Sequence, residues 1–226
     1  MTPTQQTILK VKAVIFDMDG VITDTMPFHF QAWQKVLLDE GIEATHLDIY
    51  SREGQRGITS VEEIFTSYEV PFTEEKAREI LFKKEELFKQ IVKTQFIPGS
   101  LDFLKDLTRR GITLALVTGT ARHEVLEILP EDVVKLFKVI VTGTDIQNGK
   151  PDPEPYLLAL DKLKIQPEDA VVIENAPFGI KSAKTAGLKC IAIATSLPEK
   201  YLCEANQVFS SIKDMREQHR FTEMGY

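Results

Sequence analysis

Cysteine is nearly absent from this chain. Only Cys190 and Cys203 occur in 226 residues, too few for a disulfide framework or a thiolate zinc cage. Long apolar runs are missing as well. None approaches the ~20 residues needed to cross a bilayer, which argues against a membrane protein. The opening Met1-Thr-Pro-Thr-Gln-Gln has neither the basic start nor the apolar stretch of a secretion signal. These absences together imply a reducing, cytoplasmic setting. An excess of basic residues is lacking too: 27 Lys and Arg face 34 Asp and Glu, a net charge of −7. That balance argues against a general nucleic-acid binder, which needs a basic face. It leaves room for an anionic small substrate, because a local lysine or a metal can reverse the sign at one site.

What is present reads as an ordinary globular protein, 43% hydrophobic and 27% charged, so disorder is excluded as a class. Compact β-branched runs at 11–16, 112–117, 139–142, 170–173 and 189–194 read as buried parallel strands. Helical periodicity separates the later ones. Leu101, Leu104 and Leu107 run up to Gly111, Tyr156 to Leu163 follow the same spacing, and Ile180, Ala183 and Ala186 lead to a capping Gly187. Strands alternating with helices predict an α/β fold, a doubly wound Rossmann-like parallel sheet. The stretch 26–95 breaks that rhythm. It offers amphipathic faces through Phe30, Trp33 and Leu37, through Val61, Ile64 and Phe65, and through Ile80 and Phe88, but no strand. The expectation is an all-helical domain, 26–95, inserted into an α/β core made of 1–25 and 96–226.

Chemistry-bearing residues gather at the ends of the strands, where open parallel sheets bind ligands. The first run ends in Asp17-Met18-Asp19-Gly20. In extended backbone, positions i and i+2 point the same way, so both carboxylates reach one site. Such a pair favours a hard cation, Mg²⁺ among them, and divides naturally into a nucleophile and a proton carrier. The second run ends in Val117-Thr118-Gly119-Thr120, with hydroxyls and backbone N–H groups that suit phosphoryl oxygens. After the third comes Gly149-Lys150-Pro151-Asp152-Pro153, a stiff turn able to aim one lysine. The fourth ends in Glu174-Asn175, oxygen donors that could complete a metal shell, Asn175 being equally a helix N-cap ahead of Pro177.

The order of these four elements resembles the haloacid dehalogenase superfamily, in particular its β-phosphoglucomutase-like branch with a helical cap after the first motif. The resemblance extends from about residue 12 to 209. It implies that Asp17 is a nucleophile forming an aspartyl-phosphate and that Asp19 is the general acid/base. It further implies that the Asp19 carbonyl, with Asp17, Glu174 and Asn175, holds Mg²⁺. Thr118 with Gly119 and Thr120 would bind the phosphoryl group, and Lys150 would neutralise charge. A second Asp, at 19, favours phosphoryl chemistry over dehalogenation. Two departures stand out. Asn175 replaces the usual Asp of the fourth motif, and Glu53, in the cap loop Glu53-Gly54-Gln55-Arg56-Gly57, could supply the missing charge. Ser60 stands where the mutase carries an Arg for its second phosphate. These features, with His29, look most like an inorganic pyrophosphatase described in the same branch. His29, Trp33 and Lys83 match cap residues that approach the substrate.

The implied function is Mg²⁺-dependent hydrolysis of pyrophosphate or a small phosphate ester by a monomer. The alternatives are a sugar phosphomutase and a catalytically weak regulatory relative.

Overall fold

A computed structural model describes residues 6–224. The chain opens with β1 (Thr7–Val11) and β2 (Ala13–Phe16). One continuous strand was the expectation for 11–16. Instead Lys12 separates two strands that belong to different sheets, its N–H donating to the Asp169 carbonyl at 2.7 Å. Four helices follow: α1 (Met26–Leu38), α2 (His46–Tyr50), α3 (Gly57–Ser67) and α4 (Glu74–Ile91). Then come α5 (Ser100–Arg109), β3 (Thr113–Val117), α6 (Arg122–Ile128), α7 (Glu131–Val134), β4 (Val139–Val141), α8 (Glu154–Leu163) and β5 (Ala170–Glu174). The chain closes with α9 (Pro177–Thr185), β6 (Lys189–Ile193), β7 (Gln207–Phe209), α10 (Ile212–Gln218) and β8 (His219–Glu223).

Six strands form one parallel sheet in the order β4-β3-β2-β5-β6-β7. The α/β expectation is met. β2 is buried along its whole length and pairs on both sides, Phe16 lying level with Leu116 of β3 and Ile173 of β5. Its residues alternate faces. Val14 and Phe16 pack with Phe103, Leu104 and Met215 on one side of the sheet. Ala13 and Ile15 pack with Tyr156, Leu160 and Ile180 on the other. The chain winds outward from β2 in both directions, so the carboxyl ends of β2, β3 and β5 share one rim at the switch point. A separate two-stranded parallel ribbon, β1 with β8, has no counterpart in the sequence reading, nor has β7.

Between β2 and α5 the regular elements are all helices, and α1 to α4 bury their own cluster of Trp33, Leu37, Ile64, Phe65 and Ile80. Local signals explain their starts. Thr45 and Asp48 form a reciprocal capping box on α2. Thr73 accepts from the Lys76 N–H ahead of Glu74 and Glu75 on α4, where acidic groups favour the helix dipole. The two linkers to this helical module pair with each other: Asp24 N–H donates to Gln95 at 2.9 Å and Ile97 N–H to Ile22 at 3.0 Å. Among the described residues no helix is long and apolar enough to cross a membrane.

Candidate active site

The rim of the sheet fixes two of the four motifs by backbone bonding. The Asp17 N–H continues the ladder to the Ile173 carbonyl at 3.0 Å, and the Thr118 N–H donates to Val141 at 3.0 Å. Asp19 stands two residues beyond Asp17, and the chain then turns at Gly20 with φ +86°. A Cβ at Gly20 would meet Asn175 Nδ2 at 2.1 Å, so the glycine also makes room for that amide.

Lys150 reaches into this rim from the turn before α8 and is buried, 1% exposed. Its ammonium donates to Asp17 Oδ1 at 2.7 Å, to Glu174 Oε1 at 2.6 Å and to the Val117 carbonyl at 3.3 Å. Burial alone would lower the lysine pKa, but the carboxylates of Asp17 and Glu174 outweigh it and push it up. Glu174 is fully committed. Its Oε1 also accepts from Tyr156 OH at 3.0 Å, and its Oε2 accepts the N–H groups of Asn175 and Ala176 at 2.8 and 3.1 Å. Glu174, expected among the metal ligands, thus meets protein donors with both oxygens and anchors Lys150. Asp17 is held with one oxygen on Lys150 and the other, Oδ2, buried without a partner. Burial, helped by the neighbouring Glu174 and Asp19 charges and opposed by Lys150, raises its pKa to about 8.

Asp19 sits in a different environment, and the pair is thereby split. Its carboxylate accepts from Thr25 Oγ1, from Thr120 Oγ1 at 2.9 Å and from Thr118 Oγ1 at 3.3 Å. Burial works to raise its pKa, yet His29 and these hydroxyls prevail and lower it. His29 Nε2 faces Asp19 Oδ1 at 3.4 Å without an aligned hydrogen bond. The imidazole stacks on Phe88 at 4.0 Å, and its Nδ1 lies 3.1 Å from the Lys84 ammonium. Burial and Lys84 together lower the His29 pKa, against the pull of Asp19. Lys83 is a correction. Its ammonium pairs with Glu79 on the exposed side of α4, and Lys84, one residue on, is the lysine that enters the site. Thr25 was also missed. It reads as a helix N-cap before Pro27, but its hydroxyl makes no cap bond and goes to Asp19 instead.

The helical module closes over this rim. A Cβ at Gly54 would lie 2.3 Å from Lys150 Cδ, and one at Gly119 would lie 2.9 Å from the Gly54 backbone. Arg56 donates to the Gln147 carbonyl at 2.7 Å. Beneath this contact lies a cavity of about 240 Å³ lined by His29, Trp33, Glu53, Gln55, Ser60, Lys84 and Thr120. Glu53 makes no hydrogen bond there. Burial, with Asp19 and Asp17 adding to it and Lys84 and Lys150 opposing, raises its pKa well above the usual range. Ser60 Oγ bonds Gln55 Oε1 at 3.0 Å. Trp33 is both core and wall: it is buried in the module's apolar cluster and borders the cavity.

Among the described residues no group of three or more His, Cys, Asp or Glu forms a ready metal cage. The donor set nevertheless suits a hard cation. Asp17 Oδ2 and Asn175 Oδ1 are buried oxygens with no partner, which is costly unless something binds them. Asn175 is oriented for this, since its Nδ2 donates to Ser196 Oγ at 2.9 Å and leaves the oxygen free. Ser196, from the segment after β6, carried no sequence signal.

The model of the haloacid dehalogenase-like hydrolases matches residues 14–193, most of the chain and all four motifs. The chain belongs to that family. It is 37% identical over 207 residues to a phosphorylated carbohydrates phosphatase of Thermotoga maritima, covering 88% of this chain and 93% of that one. It is 31% identical over 198 residues to the β-phosphoglucomutase of Bacillus subtilis, covering 83% and 85%. The crystal structure of a β-phosphoglucomutase from Clostridium difficile superposes with a TM-score of 0.78 at 25% identity, over 92% of this chain and 96% of that one. The fold class and the expectation of a phosphatase-type enzyme of this family both hold.

The paired carboxylates on Lys150 generate one prediction. Glu174→Gln removes one of two charges holding a buried ammonium, and breaking a buried pair costs roughly 3–5 kcal/mol. Urea unfolding should show a loss of that size. An unchanged midpoint would mean that Lys150 relies on Asp17 alone.

Proposed function

We propose that this protein is a Mg²⁺-dependent phosphohydrolase that works through an aspartyl-phosphate on Asp17. The carrying observation is the split of the two carboxylates on one rim. Asp17 has one oxygen on Lys150 and one unpartnered, whereas Asp19 accepts from three hydroxyls beside the buried His29 ring. In this reading the Asp17 carboxylate attacks phosphorus, a P–O bond to Asp17 forms and the bond to the leaving oxygen breaks. Lys150 stays on Asp17 and offsets charge developing on the transferred group. Thr118 and the N–H groups around Gly119 and Thr120 bind phosphoryl oxygens. Asp19 must first take up a proton to give one to the leaving oxygen. Ionised again, it accepts the proton of the water that cleaves the aspartyl-phosphate. A bound Mg²⁺ would neutralise the phosphoryl oxygens, with Asp17 and Asn175 as its side-chain ligands.

Substrate choice follows from the cavity. About 240 Å³ under a closed module suits a small phosphorylated substrate better than a bulky one. Pyrophosphate or a small phosphate ester fits this reading, and the 37% identical carbohydrate phosphatase supports the ester. The relation to β-phosphoglucomutases supports a second reading, transfer between two positions of a sugar. Ser60 argues against it: the hydroxyl is tied to Gln55 and brings no cation for a second phosphate. The helical module, 26–95, is then the cap, and its paired linkers are the hinge.

Turnover of pyrophosphate and of a panel of small phosphate esters with Mg²⁺ tests the reading directly. Asp17→Asn should abolish it. Asp19→Ala should lower kcat by roughly 10²–10⁴-fold, the range for a lost general acid/base. The loss should shrink for p-nitrophenyl phosphate, whose leaving group needs no proton. Equal losses for all leaving groups would remove Asp19 from proton transfer.

The pKa shifts give a pH dependence. Burial raises the Asp17 pKa to about 8 in the unliganded site, against the pull of Lys150, and raises that of Glu53 as well. A cation needs the carboxylate, so binding displaces a proton. Mg²⁺ affinity should climb up to about tenfold per pH unit between pH 6 and 8 and level off above. Calorimetry in buffers of different ionisation enthalpy should register the released proton. Flat affinity across that window would place the metal away from Asp17.

Glu53 and Asn175 share the remaining question of charge. Asn175 brings an oxygen without charge, and Glu53 lines the adjoining cavity, near enough for the Asp19 and Asp17 charges to act on it. Glu53→Ala should cost pyrophosphate hydrolysis ~2–4 kcal/mol in kcat/KM, the size of one preorganised electrostatic group. Asn175→Asp should restore part of it. Strict additivity in that cycle would make Glu53 an ordinary loop carboxylate.

A further inference from the structure

A larger cavity lies away from the active site, about 550 Å³ in volume. Its walls come from the returning linker at Pro98 and Gly99, from α5, from α10 and from β8. Three observations distinguish it from a surface dent.

The first is its charge. Arg110, Lys213, Arg216 and Arg220 line it against Asp106 and Glu217, a local balance of two positive in a chain of net −7. The acids are already spent. Asp106 Oδ2 takes Arg110 at 2.9 Å and Arg216 at 3.7 Å, and Glu217 lies 3.8 Å from Lys213. Arg220 has no carboxylate partner among the described residues. The second is its floor. Phe103, Leu107, Ile212 and Phe221 give it an apolar base, and the Arg216 guanidinium lies over the Phe103 ring at 5.6 Å. The third is His219. This residue is 4% exposed, borders the cavity, and has both ring nitrogens buried without a partner. An imidazole nitrogen left unbonded is costly, and the ring lies close enough to the cavity to sense what fills it.

We propose that this cavity is a second binding site, for a small amphipathic anion: an apolar, preferably flat body on the Phe103–Phe221 floor and a carboxylate, sulfonate or phosphate among Arg110, Arg216, Lys213 and Arg220. Its volume lies in the range of small-molecule sites, whose walls are mostly apolar with a few placed polar groups. Planar guanidinium groups suit such anions. The site needs nothing from the catalytic reading. Its position on Pro98 and Gly99 sets a bound anion against one of the two strands that connect the helical module to the core.

Anilinonaphthalene sulfonate, a flat amphipathic anion, serves as the probe on the full chain. One equivalent should bind with micromolar affinity and a blue-shifted emission, and the His219 ring signals should move in the NMR spectrum. The double variant Lys213→Glu/Arg220→Glu, whose side chains are exposed, should weaken the probe at least roughly tenfold, about 1.4 kcal/mol. Binding of the uncharged parent, phenylnaphthylamine, should be unaffected by it. Equal binding of the anion to parent and double variant would overturn the proposal, as would an unmoved His219 ring.

Discussion

The buried ammonium of Lys150 is the constraint on which the rest of the site depends. Taking an ion out of water costs several kcal/mol, recovered only when opposite charges and hydrogen bonds meet it with good geometry. Here the partners come from three different strands: Asp17 after β2, the Val117 carbonyl at the end of β3 and Glu174 at the end of β5. The ammonium is satisfied only if those strands end level, which the parallel registers of β2 with β3 and β5 ensure. Glu174 is fixed in turn by Tyr156 and by the two N–H groups that open α9. Gly179 sits so close that a Cβ there would fall 1.7 Å from Glu174 Oε1. The apolar core thus sets the register, the register sets the carboxylates, and these set the lysine.

That chain of dependence explains what was legible in the sequence. Each rim residue follows a buried β-branched run directly, so strand order alone brings Asp17, Asp19, Thr118 and Asn175 together, and a stiff Pro-rich turn adds Lys150. The helical stretch was legible for the opposite reason, an apolar period of 3.6 with no alternation. Other features depend on contacts that no local pattern encodes. β1 and β8 pair across the whole chain. Lys12 breaks an apolar run because its backbone bonds Asp169 rather than a strand neighbour. Lys84 was the recoverable miss. It falls on the buried stripe of Ala77, Ile80 and Phe88, where a lysine must have a partner, whereas Lys83 lies on the polar face. Thr25 and Ser196 act through single long-range hydrogen bonds, which leave no periodic trace. Glu174 fits a ligand by its type, but its hold on Lys150, Tyr156 and two backbone N–H groups depends on distant contacts that the sequence does not display.

The contact between the two parts of the molecule is made of backbone, and this has an evolutionary consequence. Gly119 belongs to the core, and a side chain there would strike the Gly54 main chain of the helical module rather than anything in its own layer. Its backbone is not in the left-handed region that reserves a position for glycine. What residue 119 can become is therefore set by the joint between core and module, beside Lys150 and the buried carboxylates, rather than by a left-handed backbone.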